Sequence, residues 1–358
     1  MAAIHQLVAG FSRFDAISNE AVHLRRVFES WGHPSRIYCE ARRILPELRR
    51  EARDVAELRA EIRPEDVVLL HLSIGSPVNE ALAALPCRKA ILYHNLTPPE
   101  YFRFVQPATA HILAQGRQQA RALAGVAQVN LADSRFNAGE LEALGYRDVK
   151  VFPLFLDPAL LKTVPDPRVI ARASDGKINV LFVGRCAPNK KIEDLLTAFG
   201  YFQRFIEPDS RLVHIGSFAG TERYHYLLLS RAREMQLRNV VFTGAVTQTQ
   251  LNAWYARAHL FLCLSEHEGF CIPLIESMWH GVPILAYAAA AVPETLAGAG
   301  ILVREKNYAE MAELMAELTR NQVLRAAVVR RQRERVTQYL ARDQAAEIRG
   351  HLAPLLAG

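Results

Sequence analysis

The sequence predicts an α/β protein made of two parallel-sheet domains, each covered by helices on both faces. Three observations carry this. Short β-branched runs alternate with longer helical patterns along the chain, as parallel sheets with crossover helices require. The alternation halts in LDPALLKTVPDPRVIARASDGK (156–177), rich in Pro and Asp and without a clear period, and then restarts. The 358 residues also exceed what one core ordinarily holds. The expected organisation is a first domain over 1–160, a linker over 161–177, a second domain over 178–340 and a terminal segment over 341–358.

In the first half the strand candidates are IHQLVAG (4–10), SRIYCE (35–40), DVVLLHL (66–72), KAILYHN (89–95), AQVNLADS (127–134) and VKVFPLF (149–155). Helical patterns lie between most of them, such as Asn19 to Ser30 and Ala108 to Ala124. In the second half the candidates are INVLFVG (178–184), RLVHIGS (211–217), NVVFTGAV (239–246), HLFLCLS (259–265) and PILAYA (283–288). Open α/β sheets bind ligands at the C-terminal ends of their strands. Two such sheets facing each other predict an interdomain cleft.

Composition excludes several classes. Half the residues are hydrophobic and 22% are charged, an ordinary globular balance. The net charge of +6 is spread evenly: residues 1–165 carry 20 basic against 18 acidic side chains. No nucleic-acid partner is expected from such a balance. The Arg clusters at 42–53 and 325–335 are interleaved with acids at helical spacing and read as solvated helix faces. Their charge leaves room for weak peripheral attraction to an anionic membrane surface. No 18-residue apolar window exists, and the N-terminus lacks the pattern of a signal peptide. The expected location is the cytoplasm, at most peripheral at the inner face of the cell membrane. The five cysteines, Cys39, Cys87, Cys186, Cys263 and Cys271, show neither a CxxC nor a metal-ligand spacing and read as buried free thiols.

Two stretches carry chemistry. VGRCAPNKKIEDLL, from Val183, leaves a strand and enters a helix. Gly184 permits close approach of a ligand to the backbone. Arg185 and Lys190 bracket a turn at a helix N-terminus, where free N–H groups favour an anion such as a diphosphate. The plainer reading pairs Arg185 with Glu193 or Asp194 and leaves Lys190 or Lys191 as a solvated start-of-helix residue. There is no GxxxxGK[ST], no GxGxxG after a strand, no D-x-D pair, no HExxH and no Cys/His ligand cluster. A bound diphosphate would therefore be met by Arg, Lys and N–H groups, with no metal expected. SEHEGFCIPLIE (265–276) then places Glu268 in a loop after a buried strand, Pro273 at the first position of a helix, and Glu276 in its first turn. A carboxylate is a natural acceptor for two adjacent sugar hydroxyls. The plainer readings are a solvated loop acid for Glu268 and a helix N-terminal acid for Glu276, worth at most ~1 kcal/mol.

VGRxxPNK, SEHEGFCIPLIE and GVPILAY…VPETLAGAGILV together resemble the C-terminal half of the "group 1" retaining glycosyltransferases, family 4, of the GT-B fold. The E-x7-E signature of that family matches Glu268 and Glu276. In the first half FDAISN, HLSIGSP (71–77), YHNLTPPEYF (93–102) and DSRFNAGELEALG (133–145) fit as well, so the resemblance covers nearly the whole chain. It implies two Rossmann-like domains facing each other across a cleft, and a GDP- or UDP-linked sugar donor held mainly by the second. It further implies that Arg185 and Lys190 hold the diphosphate, Glu276 the ribose and Glu268 the donor-sugar hydroxyls. Gly184 and the backbone of Gly269, Phe270 and Cys271 would lie against sugar and phosphates. Many members have Lys-Gly where this chain has Lys190-Lys191, so the local turn is expected to differ slightly. The terminal segment 341–358 is expected to return to the first domain.

His94 ends a strand; the resemblance implies a sugar-contacting or catalytic role, where the residue alone reads as structural. Asp15, His71, Ser73 and Asn95 point to the acceptor side of the same cleft, with loop capping the competing reading. Ser134 and Asn137 read as N-cap residues. The function so implied is transfer of a hexosyl unit, with retention, from GDP-mannose or a UDP-hexose to a glycan or lipid-linked saccharide in surface polysaccharide synthesis. The leaving phosphate itself would take the acceptor's proton, and domain closure would exclude water. The rival readings are a sugar-nucleotide epimerase of the same fold and a non-catalytic partner subunit. A phosphorylase would need a pyridoxal-phosphate lysine, for which no candidate stands out.

Overall fold

A computed structural model describes residues 2–12 and 15–357. Phe14 of the FDAISN stretch lies outside the described residues. The chain divides into two compact units, one of residues 1–103, 107–155 and 343–358, the other of 104–106 and 156–342.

The first unit holds a seven-stranded parallel sheet of β1 (Ile4–Val8), β2 (Ile37–Cys39), β3 (Ala52–Asp54), β4 (Val67–Leu72), β5 (Arg88–Tyr93), β6 (Val129–Ala132) and β7 (Lys150–Val151), in the order β3-β2-β1-β4-β5-β6-β7. Its helices include α1 (Ala16–Ser30), α2 (Val55–Glu61), α3 (Pro77–Ala84), α4 (Pro107–Ala122) and α5 (Arg135–Ala143). Every residue of β1 and β4 is buried, as strands covered on both faces must be. One core packs Leu70, Leu72, Ile91 and Tyr93 beneath α3, α4 and α5; the other packs Ile4, Val67, Leu69 and Leu92 against Leu24 and Phe28 of α1.

The second unit begins with α6 (Pro158–Leu161) and α7 (Pro167–Ala173), capped by Asp157 and Asp166. The stretch without a legible period thus holds two short helices, and α7 packs on a helix of the second unit, α10 below. Its six strands are β8 (Ile178–Val183), β9 (Ser210–Ile215), β10 (Val240–Phe242), β11 (Leu260–Cys263), β12 (Ile284–Tyr287) and β13 (Ile301–Val303), all parallel, in the order β10-β9-β8-β11-β12-β13. The helices are α8 (Ile192–Phe205), α9 (Glu222–Glu234), α10 (Gln248–Arg257), α11 (Ile272–Trp279), α12 (Val292–Leu296), α13 (Tyr308–Arg320) and α14 (Gln322–Leu340). The last helix, α15 (Gln344–Leu356), belongs to the first unit, where Ile348, Leu352 and Leu355 join the Phe28 core.

In each sheet the strand order reverses at one place, between β1 and β4 and between β8 and β11. The loops leaving those strands part to opposite faces and open a crevice at the C-terminal edge, the usual ligand position in such sheets.

Candidate functional site

The crevice of the second unit lies where the loops after β8 and β11 meet. After β8 a 3-10 turn, Pro188–Lys190, leads to Lys191 at φ 52°, ψ 50°, and then to α8. After β11 the loop ends at Cys271, also left-handed (φ 73°), and then α11 begins. Lys190 Nζ reaches Glu268 Oε2 at 2.5 Å, with the lysine side chain 18% and the glutamate 9% exposed. Burial pulls the lysine down, but the charge and hydrogen bond of Glu268 outweigh it and hold the ammonium above its usual range. The two loops are laced together: Asn189 Nδ2 donates to the His267 carbonyl (2.9 Å), and Glu266 N–H to the Asn189 carbonyl (2.9 Å). Lys306 adds a second clamp, bonding Asp194 at 2.6 Å and Glu266 at 2.7 Å.

Glu276 lies one turn into α11, because the helix starts at Ile272 and Pro273 takes its second position. The expected first-turn placement is therefore corrected, and the helix dipole, which fades beyond the first turn, contributes little here. The Glu276 carboxylate accepts from the Tyr255 hydroxyl (2.8 Å). Burial raises its pKa to about 7 against the pull of that hydrogen bond.

Gly184 follows β8, and its carbonyl faces Gly216 after β9. A Cβ on Gly216 would sit 1.9 Å from Gly184 O, so only glycine fits. Arg185 is exposed, and its guanidinium donates to the Ala219 carbonyl (3.2 Å). The alternative pairing with Glu193 or Asp194 does not form: Glu193 accepts from Tyr224, and Asp194 from Lys306 and Tyr308. Lys190 is likewise no solvated surface group, whereas Lys191 lies 3.4 Å from Glu266 and 3.8 Å from Glu193. Lys191 adopts the left-handed conformation that glycine takes without penalty, at a cost of roughly 1 kcal/mol. Among the described residues, the N–H groups of Gly269, Phe270 and Cys271 have no hydrogen-bond acceptor. The same loop brings Cys263, Glu268 and Cys271 together, with a ligand atom of each within 4.8 Å of the others. All five cysteines are free and buried, as the sequence predicts, and the spacing of Cys263 and Cys271 did not announce their approach to Glu268.

In the first unit, His71, at the fifth position of β4, and His94, just after β5, join a buried chain of four side chains. Gln6 Oε1 meets His71 Nε2 (2.9 Å), His71 Nδ1 meets His94 Nε2 (2.8 Å), and His94 Nδ1 meets Asp133 Oδ2 (3.0 Å). The two imidazoles are parallel, with centroids 5.1 Å apart. Gln6 Nε2 donates to the Ala21 carbonyl (2.9 Å), so its Oε1 accepts and His71 Nε2 carries hydrogen. Burial holds His71 neutral, its pKa well below the usual value, so its Nδ1 accepts from His94 Nε2. One further proton is then shared between His94 Nδ1 and Asp133. Burial pulls His94 down, but the Asp133 charge outweighs it and raises the imidazole; burial also raises Asp133. Both ring nitrogens of His94 are thus engaged within the unit.

Asp15 caps α1, accepting from Ser18 N–H (2.9 Å) and Oγ (2.7 Å). Asn95 (φ 91°) donates to Asn137 Oδ1 (2.8 Å) and Glu140 (3.0 Å). Ser134 caps α5, while Asn137 lies three residues inside that helix and holds Asn95 in place of a cap. Ser73 is half-buried just past β4.

Residues 166–335 match the family model of glycosyl transferases group 1. The chain carries a group 1 glycosyl transferase domain. It is 35% identical over 112 residues to a GDP-mannose-dependent alpha-mannosyltransferase of Mycolicibacterium smegmatis, covering 31% of this chain and 26% of that protein. It is 29% identical over 123 residues to O-antigen chain mannosyltransferase B of Escherichia coli, covering 34% and 32%. An uncharacterized 41.2 kDa protein in the cps region of Klebsiella pneumoniae is 26% identical over 146 residues, covering 39% and 36%. The chain therefore spans between about a quarter and a third of these relatives. Among solved structures, Anabaena HepE with UDP-glucose matches at a TM-score of 0.74 and 17% identity, covering 100% of both chains. Sucrose-phosphate synthase of Thermosynechococcus elongatus matches at 0.74 and 16%, also covering 100% of both. These likenesses show the fold.

The crevice of the glycosyl transferase domain uses several groups that the sequence motifs do not single out. Gly216, Tyr255 and Lys306 lie outside both motifs, and nothing in their local sequence marks them. Asp133 opens the DSRFNAGELEALG stretch and Gln6 lies in a strand-like apolar run, but neither was singled out.

Proposed function

We propose that the chain is a retaining hexosyltransferase whose donor is GDP-mannose and whose acceptor is a glycan or lipid-linked saccharide. The observation that carries this is the Lys190–Glu268 pair at the β8/β11 switch point, beside three N–H groups that lack acceptors. Breaking a sugar–diphosphate bond builds positive charge on the sugar and negative charge on the leaving phosphate. Fixed cations and N–H groups at the growing oxyanion lower that barrier. Lys190 and the 269–271 N–H groups supply them, and Arg185, exposed and lightly held, closes on the outer phosphate. Glu268 orients sugar hydroxyls and also fixes Lys190. Glu276, freed from Tyr255, accepts the ribose hydroxyls. The relatives named as mannosyltransferases favour GDP-mannose; the UDP-glucose bound in HepE makes a UDP-hexose the second reading.

His94 offers Nε2 to a sugar hydroxyl in exchange for His71. The exchange leaves His71 Nδ1 unpaired, at about 1–3 kcal/mol unless water replaces His94. The diphosphate charge is met without a metal, so excess chelator leaves turnover intact; a complete loss restored by Mg²⁺ contradicts this. A thermal-shift screen tests the donor class. A ligand at 100 times its dissociation constant stabilises the fold by ~2.7 kcal/mol. The expected shift comes with GDP-mannose and is lost in Arg185→Ala. A shift with UDP-glucose alone selects the second reading, and none with any sugar nucleotide refutes the proposal. Retention is read from the anomeric proton of the product by NMR.

A further inference from the structure

Cys263 closes β11, Cys271 opens α11, and Glu268 lies between them in the loop. All three are buried, and a ligand atom from each falls within 4.8 Å of the other two. The Cys263 thiol donates to Ser265 Oγ (3.6 Å). Two thiolates on a tetrahedral metal with bonds of ~2.3 Å lie about 3.7 Å apart, so the pair needs to close by no more than about 1 Å. We infer that Cys263, Cys271 and Glu268 form a binding site for a thiophilic divalent cation, zinc or cadmium, that competes with the donor sugar for Glu268. The competition, though not the site, rests on the reading of Glu268 given above.

The donor set decides the class of ion. Two thiolates and one carboxylate select zinc or cadmium over magnesium or calcium, which prefer oxygen shells. Three protein ligands leave a fourth position for water. The charge balance also closes. Two neutral thiols, the Glu268 carboxylate and the Lys190 ammonium sum to zero. When the metal binds, two S–H bonds break, two metal–sulfur bonds form and two protons leave to buffer. Two thiolates, one carboxylate, one ammonium and a divalent cation again sum to zero. The net charge of the cluster is thus unchanged by metal entry, with Lys190 still held beside Glu268. Among the described residues, Cys39 and Cys87, in the first unit, belong to no such group of three ligands. The bound cation is a switch on the donor pocket and itself supplies no group to the reaction.

The test is a titration of the whole chain with cadmium under a phosphine reductant, which keeps the thiols from forming a disulfide. The expected result is a thiolate-to-cadmium ultraviolet band saturating at one equivalent. It is lost in Cys263→Ser and Cys271→Ser, retained in Cys87→Ser, and weakened at least tenfold in affinity by Glu268→Gln. No band in the wild-type chain, or one unchanged in both Cys263→Ser and Cys271→Ser, overturns the site. Because a serine at either buried position can impair folding, X-ray absorption of the zinc-loaded wild-type chain gives a second reading. Two sulfur neighbours at ~2.3 Å support the site and none overturns it. One equivalent of zinc is expected to raise the apparent Kd of the sugar nucleotide at least tenfold. Metal bound with two sulfurs but donor affinity unchanged overturns the competition and, with it, the sugar-contacting role of Glu268.

Discussion

The proposed ribose-binding role of Glu276 predicts a pH-dependent grip on the donor. Its carboxyl titrates near 7, raised by burial from a usual 4.5. The free site is therefore mostly protonated at pH 6 and mostly ionised at pH 8. Ribose hydroxyls donate to the ionised form, so donor binding takes the carboxylate and releases the proton. At pH 6 about one molecule in ten is ionised, at pH 8 about nine in ten, for a pKa of 7. The dissociation constant of GDP-mannose should fall about tenfold from pH 6 to pH 8, or about 1.4 kcal/mol. Titration calorimetry at pH 6 in two buffers of different ionisation enthalpy should register the release of close to one proton per donor bound. The sugar diphosphate has no group of its own titrating in this window, so the proton comes from the protein. Glu276→Gln should abolish both effects. The sign for stability is opposite. A raised carboxyl favours the folded state when protonated, so stability falls as pH climbs from 4.5 through 7 and levels off above. The gap of about 2.5 pK steps corresponds to about 3 kcal/mol, and Glu276→Gln should recover much of it at pH 8. An affinity independent of pH, or a pH dependence that survives in Glu276→Gln, refutes the ribose-binding role.

Gly216→Ala should cost at least ~3 kcal/mol and remove donor binding, because the new Cβ meets a backbone carbonyl at 1.9 Å that no side-chain rotation can relieve; denaturant melts check this. Lys190→Met strands Glu268 and should destabilise the second unit by about 3 kcal/mol, with much of it restored in Lys190→Met/Glu268→Leu. Asp133→Asn should destabilise the first unit by about 3–5 kcal/mol. In the wild-type chain NMR should find His94 protonated above pH 6.5. Its contribution is fully present below 6.5 and is lost as pH rises through the raised value; in Asp133→Asn this dependence should vanish.

Much of the architecture was legible because it rests on pattern. Most strands of both sheets centre on apolar runs, and β1, β4, β8 and β9 fall within a residue or two of their expected starts. The edge strands Ala52–Asp54 and Ile301–Val303 were not, being three residues each, and ARD at 52–54 has no apolar run to reveal it. The helix over 167–173 was hidden by its brevity and its prolines. At the site, Lys190 and Glu268 were marked by motif, but the bond between them is a fact of tertiary structure, 78 residues apart in sequence. The pairing of Cys263 with Cys271 was invisible for a related reason. Eight positions is no ligand spacing on a helix or strand, and only a loop that folds back to a left-handed residue brings the thiols together. His71 and His94 were each assigned to ligands, whereas their nitrogens first satisfy one another, because buried polar atoms pair before they are free to act.

Calorimetric titration of the whole chain at pH 8 with GDP-mannose, and then with UDP-glucose, tests most directly whether the β8/β11 crevice is a sugar-nucleotide site. The predicted result is one saturable site per chain for GDP-mannose, weakened roughly tenfold to a hundredfold in Lys190→Met through loss of one charge-assisted contact. A folded wild-type chain that binds neither sugar nucleotide, or a Lys190→Met chain that binds as tightly as wild type, would contradict it.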